Sequence, residues 1–273
     1  DYQLAVTSYK SQKETTFEIF GRINSGGRQL SNQERRQAGV ICDFTDLIKT
    51  IASDIRGDST SETVLLADMP QISIGSNRIN DKYGLKAENI FWVRQGILAV
   101  QDLRNSDDEE VVADIAISIL QDKPFERSKE RLDRIYDTSS EAYEKNSIAL
   151  IRYSPEKLQE NIQNTFAIIK NCVESVSDEP NCLRNVVTPN RRTPIKNAFY
   201  TIFMAFYELL VKEDLSPCDC KEILQSLYNL QDRIKVDTHY ATETNRKNNI
   251  ALTMGLIRPY FVKKEPSALK HGS

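Results

Sequence analysis

Thr193-Pro194-Ile195-Lys196-Asn197-Ala198-Phe199-Tyr200-Thr201-Ile202-Phe203-Met204-Ala205-Phe206-Tyr207-Glu208-Leu209-Leu210 is apolar on nearly every side once wound at 3.6 residues per turn. A helix of that kind belongs at the centre of other helices, not on a surface. Threonine before proline is a start signal, an N-cap followed by a residue whose φ is already helical. Two more such pairs flank it. Ser154-Pro155 precedes a stripe of Leu158, Ile162, Phe166, Ile169 and Val173, and Ser216-Pro217 precedes Ile223, Leu227, Leu230 and Ile234. A last helix is predicted near 243–258.

Working toward the amino end, Glu88 opens another helical spacing through Ile90, Val93, Ile97 and Val100. The run Asp107-Asp108-Glu109-Glu110 reads as a solvated cap before Val112, Ile115 and Ile119. Residues 44–56 carry Phe44, Leu47, Ile48, Ile51 and Ile55 on one face, whereas 57–86 gives no clear period. Capping boxes at Ser11–Glu14 and Ser31–Glu34 start two further helices. Only Tyr2 to Thr7 alternates as a strand does. A strand so near the start, with no neighbour to pair with, is read as the remnant of a sheet whose other part lies upstream or on another chain.

The 36 basic and 39 acidic side chains nearly cancel, giving a net charge of -3, so any contact with nucleic acid must be a local patch. No apolar run approaches the roughly 18–20 residues of a membrane span, and no basic-then-apolar leader marks the chain for export. Five cysteines at irregular spacing and two histidines suit neither a disulfide framework nor a zinc site. They read as reduced thiols, and the expected location is cytoplasmic. No metal ligands are expected.

One stretch carries a signature. Residues 17–36 run Phe-Glu-Ile-Phe-Gly-Arg-Ile-Asn-Ser-Gly-Gly-Arg-Gln-Leu-Ser-Asn-Gln-Glu-Arg-Arg. A two-glycine turn between helices exposes backbone amides, and Arg22, Arg28, Arg35 and Arg36 bring guanidinium forks close by, which together suit phosphate. From chemistry alone the plainer reading is stronger, a bend between two helices with solvated arginines. Asn190-Arg191-Arg192 and Lys196 form a second basic cluster, suited to DNA phosphates or to nothing more than a charged surface. Phe91-Trp92 reads as core before it reads as a base-stacking platform.

Phe20-Gly21-Arg22-Ile23-Asn24-Ser25-Gly26-Gly27, followed by Leu30-Ser31, Gln33-Glu34 and Arg36, resembles the second signature of the ParB/sulfiredoxin-like domain of GmrSD-type modification-dependent restriction proteins, a group of prokaryotic defence proteins. The match covers about twenty residues. That family's first signature, Asp-Gly-Gln-Gln-Arg, is not among these 273 residues, and neither is the histidine-rich nuclease domain that often accompanies it.

The caps and periodicities give a mainly α fold, a helical bundle with one short strand, and the resemblance implies that this strand is left from a truncated α+β ParB-like domain at the amino end. Residues 1–60 would be the remnant with the Ile-Asn-x-Gly-Gly signature, and 61–273 a helical domain. The implied function is that of a fragment of a defence protein that couples recognition of modified or foreign DNA to nucleotide hydrolysis or DNA cleavage. Arg22, Asn24, Gly26, Gly27, Gln33 and Arg36 would bind phosphate or nucleotide, with Glu34 as the catalytic carboxylate. Arg191, Arg192 and Lys196 would bind DNA. A nucleoside triphosphate with Mg would serve the complete protein, and a missing segment or partner chain would complete the sheet. The competing reading is a non-enzymatic helical module that docks DNA or a partner protein.

Overall fold

The computed structural model describes residues 30–37, 42–57, 87–234 and 241–264. The expected strand at 2–8 and the Ser11 capping box lie outside them. The described chain is mainly α, with one small antiparallel ribbon. Its helices are α1 (Asn32–Gln37), α2 (Asp43–Arg56), α3 (Phe91–Arg94), α4 (Val100–Arg104), α5 (Asp107–Leu120), α6 (Lys129–Tyr136) and α7 (Glu141–Tyr153). Then come α8 (Pro155–Val176), α9 (Cys182–Val187), α10 (Lys196–Tyr207), α11 (Cys220–Ser226), α12 (Leu230–Arg233) and α13 (Glu243–Ile257). Strands β1 (Leu215–Pro217) and β2 (Phe261–Lys263) pair with Ser216 opposite Val262. None of these helices is long and apolar enough to cross a membrane.

The predicted central helix is central. Every residue of α10 from Ala198 to Tyr207 is buried, and the helix packs on α8, α13 and α5. Phe199 meets Trp92 at a ring separation of 5.1 Å and Phe166 at 6.0 Å, and Trp92 meets Phe166 at 5.0 Å. Trp92 is fully buried and has no face left for a base. A single hydrophobic core runs from Phe44 in α2 to Phe261 in β2, so the described part of residues 1–60 shares its core with the rest of the chain.

Several local expectations shift for identifiable reasons. Helix α10 starts at Lys196 and not at Pro194: Ile195 is its N-cap, with non-helical φ of -104° and ψ of 29°, and its amide donates to the Gly96 carbonyl at 3.1 Å. Ser216-Pro217 does not open a helix. It forms β1 instead, while Asp219 caps α11 by accepting from the Glu222 amide at 3.0 Å. The stripe continuing to Ile234 breaks at Asn229, whose φ of 54° is left-handed. The predicted helix from Glu88 through Val100 is interrupted at Gly96, where φ is +68° and a Cβ would lie 2.9 Å from the Arg184 side chain.

The cysteine reading needs correction. Cys172 of α8 and Cys220 of α11 form a disulfide across 48 residues, leaving Cys42, Cys182 and Cys218 free. Two irregularly spaced cysteines gave no hint of it because the pairing depends on α11 lying against α8. The cysteines therefore do not argue for a reducing compartment. Alkylation in denaturant without reductant should label three thiols of the five, and Cys172→Ser should cost about 2–4 kcal/mol of stability.

Candidate functional site

Helix α1 begins with the capping box read from the sequence. The Ser31 amide donates to Glu34 Oε2 at 2.6 Å, and the Glu34 amide donates to Ser31 Oγ at 3.1 Å. Ser31 Oγ in turn donates to the Asn105 carbonyl at 2.6 Å, fixing the start of α1 to the turn before α5. The Glu34 carboxylate is thus engaged in holding a helix end. Gln33 and Arg36, three residues apart, point the other way into the protein, and both are buried. Gln33 Nε2 donates to Tyr136 Oη at 3.1 Å; burial pushes the Tyr136 hydroxyl well above its ordinary value, so it stays protonated. Arg36 reaches Asp133 at 2.6 Å and Glu110 at 3.0 Å. The sequence reading also places Arg22, Asn24, Gly27, Gln33, Glu34 and Arg36 around one solvent-facing concavity; Arg22, Asn24, Gly26 and Gly27 lie outside the described residues, so only Gln33, Glu34 and Arg36 can be placed.

The carboxylates that receive α1 belong to the acidic run at the start of α5, and that run is no solvated cap. Asp108 and Glu109 are buried. Asp107 meets Lys196 at 2.9 Å, and Glu110 meets Arg36 at 3.0 Å, Lys196 at 3.4 Å and Arg127 at 3.4 Å. Asp108 pairs with Arg56 of α2 at 3.0 Å, while Glu109 accepts from Gln37. One turn deeper, Asp114 holds the buried Arg246 of α13 through two 2.7 Å bonds. Acidic groups at a helix amino terminus also complement its dipole. The physical cause is the rest of α5: Val111, Val112, Ala113, Ile115, Ala116, Ile117 and Ile119 are all buried, so its first turn enters the interior with them.

Two of these carboxyls are displaced in opposite directions. Burial pushes Glu110 up, but the Lys196, Arg127 and Arg36 cations together outweigh it and hold the carboxyl below its ordinary value. For Asp108 burial wins over the attraction of Arg56, and with Glu109 alongside the carboxyl is pushed up to about 7. A folded value above the unfolded one gives stability that is complete below the ordinary carboxylate range and lost as pH rises through 7. The Asp108 contribution to the melting temperature should therefore fall from about pH 4 to pH 7 and level off above it, and Asp108→Asn should flatten that decline. The Glu110 contribution has the opposite sign and is lost as pH falls through its lowered value.

Between α1 and the start of α5 lies a cleft of about 370 Å³, lined by Ser31, Asn32, Arg35, Asn105, Asp107 and Glu110 among others. Its wall begins at Leu30, where the described chain emerges from the glycine-arginine stretch. Arg191 and Arg192 are exposed in the loop before α10, and Arg191 touches Asp232 at 3.3 Å. Lys196 turns from them toward Asp107 and Glu110. The structure thus separates the contacts of the expected DNA trio and brings together Arg36 and Lys196, from two different expected sets, on one carboxylate.

Sequence reasoning passed over Glu110, Asp107, Asp133 and Arg127. The legible signal was the run 111–119, apolar except for Asp114 and Ser118, which forbids a freely solvated first turn. Among the described residues no group of three or more His, Cys, Asp or Glu side chains is arranged to hold a metal ion. No family model matches the chain, and neither a curated protein nor a solved structure matches it.

Proposed function

We propose that this chain is the phosphate-handling and DNA-facing part of a prokaryotic defence protein, of the kind its 17–36 stretch resembles, in which recognition of modified or foreign DNA is coupled to nucleotide hydrolysis or DNA cleavage. The observation that carries this reading is the meeting of Arg36, from the signature, and Lys196, from the second basic cluster, on Glu110 beside a polar cleft. Two segments read separately as phosphate-binding are mechanically linked through one side chain. In this reading Arg22, Asn24 and the Gly26-Gly27 turn contact phosphate, and Arg191 and Arg192 contact DNA. Gln33, Glu34 and Arg36 are positioning residues that set α1 against α5.

Magnesium-dependent chemistry finds no ready home among the described residues. Asp107 and Glu110 face the cleft, but both are already neutralised by Lys196, and Glu110 also by Arg36 and Arg127. No step is therefore assigned to a metal here.

The test is fluorescence anisotropy with a labelled nucleoside triphosphate and a labelled DNA duplex. Asn24→Ala should weaken the nucleotide at least about tenfold and spare the duplex, and Arg191→Ala with Arg192→Ala should do the reverse. Failure of the unaltered chain to bind either probe would sink the reading. A second reading, a non-enzymatic binding module, is favoured by one observation: Gln33 is committed to the Tyr136 hydroxyl, Glu34 to the helix cap and Arg36 to ion pairs. It is distinguished by duplex or protein binding with no nucleotide turnover, even when a chain bearing the Asp-Gly-Gln-Gln-Arg signature is added.

A further inference from the structure

Three cations from three elements converge on two carboxylates at the start of α5. Lys196, the first residue of α10, places Nζ 2.9 Å from Asp107 Oδ2 and 3.4 Å from Glu110 Oε1. Arg36 comes from α1 and Arg127 from the segment before α6, both to Glu110. Such an assembly of an ammonium and guanidinium forks is what a phosphodiester needs, and here protein carboxylates fill it. The Asp107–Lys196 pair is the accessible edge, with side chains 29% and 22% exposed, whereas the Arg36 side chain is 5% exposed. Asp107 also lines the open cleft. Four residues before Lys196, Arg192 stands exposed beside Arg191, with no ion pair to another described residue.

Resting on the reading of the 190–196 corner as DNA-facing, we infer that Asp107 is an internal stand-in for a DNA phosphate, an autoinhibitory contact that keeps Lys196 out of the DNA footprint until a duplex displaces it. A phosphate arriving beside Arg191 and Arg192 competes with Asp107 for the same ammonium. Glu110 stays neutralised by Arg36 and Arg127 when Lys196 leaves. The displaced Asp107 is at the cleft wall, where water can solvate it. The contact thus acts as a threshold: weak, single-phosphate encounters leave it closed, and a duplex offering several phosphates at once opens it. Because Glu110 also holds α1, opening at Lys196 alters the charge balance on the helix that carries the signature.

The experiment measures binding of a labelled 20-bp duplex by anisotropy over a series of salt concentrations, for the unaltered chain and for Asp107→Asn, Lys196→Gln and both together. Asp107→Asn should bind about 5–10-fold tighter, with the log–log salt slope steeper by about one phosphate contact. Lys196→Gln should change the unaltered chain less than about twofold, yet abolish the gain in the Asp107→Asn background. Glu144→Gln, which removes one exposed negative charge from α7, controls for net charge and should change little. Should Asp107→Asn melt early, Asp107→Ser keeps a small polar residue at the first helical position and gives the same readout. A duplex-binding chain whose Asp107 variants bind no tighter overturns the autoinhibitory contact and leaves the DNA reading in place. No duplex binding by any form removes the DNA reading itself, and this inference with it.

Discussion

Arg246→Ala is expected to lower the stability of the fold by roughly 3–5 kcal/mol. Arg246 is fully buried in α13, makes two 2.7 Å bonds to Asp114, donates to the Phe125 carbonyl at 2.8 Å, and lies 3.9 Å over the Tyr200 ring. Removing it strands the Asp114 carboxylate, only 2% exposed, with Arg127 at 3.7 Å as its remaining counter-charge. The cost of breaking such a pair comes mainly from the partner left behind. A double replacement, Asp114→Leu with Arg246→Met, should therefore recover much of the loss. Urea unfolding of the three proteins checks this; a single-variant loss below about 1 kcal/mol would mean that water reaches Asp114.

Phe199→Ala should cost a similar amount, about 3–5 kcal/mol, for a different reason. Phe199 has no exposed surface and sits among Trp92, Phe166 and Phe203, at ring separations of 5.1, 6.0 and 6.4 Å. Those rings belong to α3, α8 and α10, three elements that cannot all close on a missing phenyl group, so a cavity remains. By contrast Ile151→Ala, at a position 74% exposed, should change stability by less than about 0.5 kcal/mol. Thermal or urea unfolding of both variants measures the difference. Near-equal losses would place the core elsewhere.

These two sites also mark where the sequence could be read and where it could not. The burial of α10 was legible because its apolar residues occupy every side, and Ser154-Pro155 opened α8 as read, with Ser154 accepting from the Lys157 amide. The Ser31–Glu34 box was legible too, since it is a contact between near neighbours in sequence. The failures share a cause: each turned on a partner far along the chain. Ser216-Pro217 became a strand because Val262 lies opposite, and the Gly96 turn is set by Asn181 and Arg184. Cys172 meets Cys220 only once α11 has packed on α8.

The candidate site divides along the same line. Gln33 and Arg36 were picked from a local signature, and their true partners, Tyr136, Asp133 and Glu110, lie at least 74 residues away. A cation and an anion 86 residues apart, Lys196 and Glu110, carry no spacing rule by which a sequence could pair them. What the run 107–110 did offer was its company. Four acids fused to a helix buried on all sides must find cations inside the protein: for Glu110 the cations outweigh burial, and for Asp108 burial outweighs Arg56.

Phosphate handling is proposed for the 20–36 stretch, whose described end, Ser31 and Arg36, is fastened to Asn105 and Glu110. Hydrogen–deuterium exchange of this chain, with and without a non-hydrolysable nucleoside triphosphate, tests it most directly. The account predicts slowed exchange in peptides covering residues 20–37 and 103–110, the signature and the turn to which Ser31 and Arg36 fasten it, with little change in α7 or α12. Unchanged exchange across both segments at saturating nucleotide, or protection confined to helices remote from α1, would contradict it.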